Sequence, residues 1–261
     1  MNKSVNVLGI NIDLIDSSQL INEITNVPQK SFKIIGNANV KCMNLSVTSE
    51  TYREFLHSCD IIFFDGVGVL LGARILGHKV KFEHRMTCPD FLDTMLMELV
   101  KKDLSIYFLA STPKVIDKLN KKLVEKHPNL RFKAHHGYFE KEGKENTDVT
   151  SDINQFQPDV LYIGFGMPLQ EKWLSNNLNL LNCKVLLPLG ACLDFYVGEL
   201  YRGPKFLTDF GFEWLVRLFT EPRRLWRRYL IGNPLFVWRI LMQKFHLTKY
   251  SNQQVDIFSA K

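Results

Sequence analysis

PDVLYIGFGMPLQEKW, residues 158–173, contains a strand, a turn and a helix start in succession. The run DVLYI is apolar, Gly164 and Gly166 follow one residue apart, and Pro168 opens what reads as a helix with Gln170 and Glu171 in its first turn. The same strand pattern recurs at SFKII (31–35), DIIFF (60–64), SIYFLA (105–110) and KVLLPLG (184–190). Runs this continuously apolar fit parallel strands covered on both faces. Between them lie amphipathic stretches, one of them announced by Ser111-Thr112-Pro113, a capping hydroxyl before a first-turn proline. The alternation predicts an α/β fold, a mostly parallel sheet with helices on both faces. The polar run EKEGKENTDVTSD (140–152) reads as a surface loop.

The character changes after Gly198. From Phe195 to Tyr250 the chain holds 14 of its 31 aromatic residues together with a cluster of arginines. Two regions are therefore expected: an α/β core over 1–198 and a C-terminal helical, basic-aromatic appendage over 199–261.

The whole chain has 261 residues, 46% apolar and 23% charged, enough to bury a core. A net charge of +6 points to an anionic partner, whether nucleic acid, phospholipid surface or phosphorylated substrate. The five cysteines are odd in number and form no CxxC, which reads as buried free thiols in a reducing compartment. Aspartates interrupt MNKSVNVLGINIDLID where an export signal needs an apolar core, so a cytoplasmic protein is expected. The most apolar window, PLFVWRILMQKF (234–245), carries Arg239 and Lys244 and is short for a membrane span.

Parallel sheets deliver ligand-binding groups at the C-terminal ends of their strands. Four such ends are polar or glycine-rich: GNAN (36–39), DGVG (65–68), GFGMPLQE (164–171) and GACLDF (190–195). Asp65, after four apolar residues and before Gly66, reads equally as a cap for the next helix or as a base facing a pocket. A dinucleotide fingerprint would need a third glycine at 169, where Leu169 stands, and would follow an early strand. A nucleotide-dependent oxidoreductase is thereby disfavoured, and a turn that holds a diphosphate or sugar oxygens remains. In TEPRRLWRRYLIGNP (220–234), a helical wheel puts Arg223, Arg224, Arg227 and Arg228 on one arc with Leu225, Trp226 and Tyr229 opposite. Arginine forks suit phosphates, and basic-aromatic helices suit membrane surfaces. Asn233-Pro234 reads as the start of a further helix. The histidines have no metal-ligand spacing, and GxSxG, HExxH, P-loop and DxD motifs are all lacking, so no metal site is expected. No recognised nucleic-acid motif accompanies the arginines.

Taken together, these segments resemble the WecG/TagA/CpsF family of bacterial glycosyltransferases. The resemblance is carried by N-x-N at 37–39, D-G-x-G at 65–68, Arg85 and Asp90 in EHRMTCPDF, and GYF at 137–139. It continues through G-x-G-x-P-x-Q-E-x-W at 164–173, G-A-x-x-D-F-x-x-G at 190–198, R-x-P at 202–204 and the tail G-F-E-W-L-x-R-L-x-x-E-P-x-R at 211–224. It implies a Rossmann-like core and inverting transfer, without a metal or other cofactor, from a UDP-sugar to a polyprenyl-diphosphate-linked saccharide. That reaction would take place at the inner face of the cytoplasmic membrane, in the synthesis of surface polysaccharide. It also implies Asp65 as general base, with Asn37, Asn39 and Gln170 lining the pocket and the arginine segment completing it. Gly66, Arg85, Gly164, Gly166, Asp194 and Arg202 join the substrate-binding candidates with Arg223, Arg224, Arg227 and Arg228. Three positions depart from the family: Asn37 replaces the usual threonine, Cys88 a glycine and Gly203 an alanine. The donor therefore stays open among N-acetylmannosamine, its uronic acid and a hexose, and the oligomeric state, a homo-oligomer included, stays open too. The rival readings are a non-enzymatic basic protein that binds membrane or nucleic acid, and the oxidoreductase.

Overall fold

The computed structural model describes residues 3–28, 32–204, 207–208 and 211–250. Ser31, the first residue of one expected strand, lies outside them. Strands run in chain order β1 (Ser4–Val7), β2 (Ile10–Asp13), β3 (Lys33–Ala38), β4 (Ile61–Asp65), β5 (Arg85–Met86), β6 (Ser105–Ala110), β7 (Arg131–His135), β8 (Val160–Gly164) and β9 (Val185–Pro188). The first two form a hairpin, and the other seven make a sheet in the order β5-β4-β3-β9-β8-β6-β7 with parallel register. This is the Rossmann-like α/β architecture, and all five strands read from the sequence lie in it. The chain folds as two compact units, one of residues 17–36 and 88–199, the other of 1–16, 37–87 and 200–261.

In the first unit β6 and β8 are buried along their whole length, as their unbroken apolar runs require. Three helices that flank these strands are α5 (Cys88–Lys101), α6 (Pro113–Lys126) and α7 (Gly143–Phe156). The Thr112 hydroxyl caps α6 by accepting from the Val115 N–H at 3.3 Å. Helix α7 replaces the surface loop expected over 140–152. It buries only Val149, Thr150 and Ile153, so its inward stripe is narrow, and apart from Gly143 and Phe156 the remaining positions are polar. Side-chain bonds anchor it: Asn146 accepts from Trp173 Nε1 at 2.6 Å, and Asp152 accepts from the Tyr107 hydroxyl at 2.7 Å. The free-thiol expectation also needs correction. Cys88, which begins α5, and Cys192, which begins α9 (Cys192–Tyr196), form a disulfide across 104 residues. No spacing motif reveals such a pair, because the fold alone brings the two helix starts together. Cys42, Cys59 and Cys183 lie outside the disulfide.

The second unit begins with the β1–β2 hairpin, whose two-residue turn places both Leu8 and Gly9 at positive φ. Helices α2 (Val40–Thr48), α3 (Glu50–His57) and α4 (Val67–Ile75) follow. The tail contributes α10 (Glu213–Thr220), α11 (Pro222–Trp226), a π-helical turn (Arg227–Ile231) and α12 (Gly232–Lys244). Asn233-Pro234 does not start a separate helix. The π turn leads directly into α12, and Pro234 sits in that helix's first turn, where its missing N–H is tolerated. Helix α12 is tied to this unit by polar bonds from its middle and its C-terminal end. Arg239 Nη1 donates to the Asn44 side chain at 2.8 Å, and Gln243 Oε1 accepts from the Leu8 N–H at 2.8 Å. Gly203, where the family pattern has alanine, sits at φ +89° with Val216 Cγ2 2.8 Å from where a Cβ would stand. Among the described residues no helix is long and apolar enough to cross a membrane.

Candidate active site

Strand β4 ends by delivering Asp65 from a buried IIFF run, and the chain then turns through Gly66 at φ +84°, a conformation that favours glycine. Gly66 is the N-cap of α4 and no side chain caps that helix, so Asp65 is not its cap. The carboxylate instead faces a cavity of about 360 Å³, within the range of small-ligand sites. Asn39 fixes it from one side. The Asn39 amide oxygen caps α2 by accepting from the Cys42 N–H at 3.1 Å, which leaves its Nδ2 to donate to Asp65 Oδ2 at 2.9 Å. One side chain thus ends a strand, starts a helix and orients the acid.

Burial raises the Asp65 pKa above the ordinary carboxylate value. The Asn39 hydrogen bond and the positive charges of Arg228 and Arg217 pull it back down, while Glu213 pushes it further up. Arg228 is itself lowered by burial, yet an arginine begins so high that it stays protonated. Glu213, Arg217, Arg228, Arg85 and Asn39 all line the cavity with Asp65. Arg202 braces the rim: its Nε donates to Glu213 Oε2 at 3.0 Å and its Nη2 donates to the Thr87 hydroxyl. Arg85 Nη1 donates to the Thr208 carbonyl at 3.1 Å, and its guanidinium lies 5.3 Å from the Phe82 ring centroid.

Of the residues singled out in the sequence, the cavity gathers Asn39, Asp65, Gly66, Arg85 and Arg228, with Arg202 bonded to two of its lining residues. Asn37 is buried on β3 and does not line it. The arginine arc divides, because the π turn offsets the wheel. Arg228 reaches the cavity, whereas Arg223, Arg224 and Arg227 are exposed. Arg224 pairs with Glu221 at 2.7 Å, and Arg227 lies over the Trp226 ring. Glu213, Trp214, Arg217 and Tyr229 also line the cavity, although the sequence reading gave none of the four a role there. The spacing of Glu213 and Arg217 on amphipathic α10 was the available signal.

In the other unit, the turn after β8 starts at a closely packed glycine. A Cβ on Gly164 would stand 2.6 Å from the Gly190 carbonyl oxygen, and Gly166 takes φ +87°. Gln170, in α8 (Leu169–Asn177), is fully buried; its Oε1 accepts from the Gly166 N–H at 3.1 Å and its Nε2 donates to Glu171 Oε1 at 2.9 Å. Asp194 accepts from the Ser111 hydroxyl at 2.8 Å.

The sequence matches the Glycosyl transferase WecG/TagA/CpsF family over residues 5–250. The chain belongs to that family. It is a glycosyltransferase, and the cavity around Asp65 is its candidate active site. Two relatives from Staphylococcus aureus, strains NCTC 8325 / PS 47 and MRSA252, are 26% and 27% identical over 249 residues, 94% of this chain and 95% of theirs. Both carry the name N-acetylglucosaminyldiphosphoundecaprenol N-acetyl-beta-D-mannosaminyltransferase. Within this WecG/TagA/CpsF member, the cavity sets the Asp65 carboxylate together with three arginines, Arg85, Arg217 and Arg228.

Proposed function

We propose that the enzyme transfers a sugar from a UDP-sugar to a polyprenyl-diphosphate-linked saccharide, in the synthesis of a bacterial surface polysaccharide, by a single inverting displacement. Asp65 removes the proton from the acceptor hydroxyl as the oxygen attacks the anomeric carbon; the bond to UDP breaks and UDP leaves as the anion. The observation that carries this reading is a desolvated carboxylate of raised pKa, held by Asn39 in a cavity that also contains Arg217 and Arg228. Those guanidinium groups stabilise phosphate charge, so turnover is expected to continue in EDTA. Gln170 supports the glycine turn assigned to the donor. The names of the two staphylococcal relatives favour a diphosphoundecaprenol-linked N-acetylglucosamine as acceptor and N-acetylmannosamine as the sugar moved. The departures at Asn37 and Cys88 keep the uronic acid and hexoses in the donor panel.

The deciding experiment is a matrix of UDP-sugars against a synthetic lipid-diphosphate N-acetylglucosamine, with products read by mass. Asp65→Asn should lower kcat by about 10²–10⁴-fold. Turnover of Asp65→Asn near the parent rate would remove Asp65 as base.

A peripheral position on the inner face of the cytoplasmic membrane belongs to the same proposal. The tail exposes Phe219 (77%), Trp238 (60%) and Leu230 (57%) beside Arg223 and Arg227, a combination suited to an anionic interface. Phe219→Glu with Trp238→Glu should reduce co-sedimentation with anionic vesicles, and undiminished binding would contradict it.

A further inference from the structure

The Asp65 cavity has two chemically different ends. At one end stand the carboxylate, Arg217 and Arg228. From Gly66, α4 leads away and presents Val67, Leu71 and Ile75 to the cavity, one helical stripe about 12 Å long at 1.5 Å per residue. Opposite, α12 presents Phe236, Val237 and Ile240, spaced as one face of a helix. The two helices approach closely at Gly72, where an added Cβ would lie 2.8 Å from Phe236 Cζ and 3.2 Å from Ile240 Cδ1. Phe236 and Ile240 are consequently buried as a floor, while Leu71 and Val237 remain 47% and 45% exposed as walls. Near the far end, Lys244 of α12 donates to the Ile75 carbonyl. None of the residues that α4 and α12 present to the cavity is charged, and Lys41, on α2, also lines it.

A nucleotide or a sugar would set its hydroxyls and phosphates against a surface that offers them no partner, at a desolvation cost. A flat bilayer surface does not call for a limb continuous with a catalytic carboxylate. An occupant with a diphosphate at one end and a branched hydrocarbon at the other satisfies both ends at once. We propose that this limb seats the first isoprene units of the acceptor's lipid chain, with the diphosphate at Arg217 and Arg228 and the sugar hydroxyl at Asp65. The inference rests on the reading above that the acceptor is lipid-diphosphate-linked. It adds where the lipid lies and which side chains select for it.

The test is calorimetric titration of the full chain with farnesyl diphosphate and with inorganic diphosphate, in the absence of vesicles. The parent should bind the farnesyl compound at least about tenfold more tightly, the effect of burying a few hydrocarbon groups. In Leu71→Asn with Val237→Asn that advantage should fall below about threefold, with affinity for inorganic diphosphate little changed. Both positions are exposed, so the fold should tolerate the pair, and a melting curve checks it. Leu71→Met, which keeps the hydrocarbon, should retain the advantage. Equal affinity for the two ligands in the parent would overturn the seat. So would an undiminished advantage in the double variant, or a double variant that loses only vesicle binding, since the face would then be a bilayer contact. Turnover of the lipid-linked acceptor is a separate reading. Farnesyl selectivity without such turnover would strike the proposed acceptor and leave the isoprenoid seat standing.

Discussion

After β4 the chain reads DGVG and after β8 it reads GFGM, and both turns use a glycine at positive φ, Gly66 at +84° and Gly166 at +87°. Their polar groups have opposite fates. After β8, the Gln170 carboxamide is fully buried and bonded within its own turn, accepting from the Gly166 N–H and donating to Glu171. After β4, Asp65 accepts a hydrogen bond from Asn39 and faces a cavity beside arginines. The contrast extends to the acids. Asp159 accepts from the Ser105 N–H at 2.8 Å and from Lys184 at 2.6 Å, and these bonds hold its pKa below the usual carboxylate range against the upward pull of burial. Asp93, bonded to Lys126, His127 and Tyr196, is lowered to about 2. Asp65 alone of these three is raised. Glycine after a strand marks a turn; an under-stabilised charge after a strand marks chemistry.

The largest expected effect separates these acids by activity and stability together. Asp65→Asn should lose about 10²–10⁴-fold in kcat. Its melting temperature should hold or rise, because a carboxylate with a raised folded pKa costs stability above that pKa and costs nothing below the unfolded value. Asp159→Asn should do the reverse in stability. Its folded pKa is depressed, so it contributes stability that is present above the unfolded pKa and lost as pH falls through the folded one. Thermal melts of both variants at pH 7 check the opposite signs, and two shifts in the same direction would break the comparison.

Next in size is the disulfide of the β8-containing unit. Reduction, or Cys88→Ser with Cys192→Ser, should destabilise the protein by about 2–4 kcal/mol, read as a lower denaturant midpoint. Gln170→Ala should follow, at about 1–3 kcal/mol, because it leaves the Gly166 N–H without its acceptor. An unshifted melt would mean that the turn does not depend on its glutamine.

The smallest effects are displacements of the acid limb of the kcat–pH profile, which lies above the ordinary carboxylate value. Asn39→Ala removes a donor that favours the charged form, so the limb should move to higher pH. Glu213→Gln removes a like charge, so the limb should move to lower pH. Stopped-flow or discontinuous assays across pH 4–8 would show both, and a shared direction would mean that the limb does not report Asp65.

Much of this could be read from the chain. The five apolar runs gave the sheet, since a strand buried on both faces has no polar position to hide its pattern. Asp65 was visible because a single acid followed such a run. Helix α7 was not, because a helix that buries three residues in fourteen looks like a loop. The Cys88–Cys192 pair was hidden by 104 residues of intervening chain. Arg217 and Glu213 lie in the GFEWLVRL stretch, and their role was hidden because only packing decides which face of a short helix meets a cavity.

By itself, then, the sequence determined the α/β class, the polar strand ends and the acid at the end of β4. Each follows from local periodicity or from the chemistry of adjacent residues. Tertiary structure decided that the β4 end faces a cavity beside arginines. It bonded the Gln170 side chain of GFGMPLQE back onto the Gly166 N–H. It divided the four arginines by a π turn so that Arg228 alone lines the cavity. It also set α12 against Gly72 to build an apolar limb that no stretch of sequence contains. Such features depend on contacts between residues far apart in the chain, and only the folded backbone specifies those.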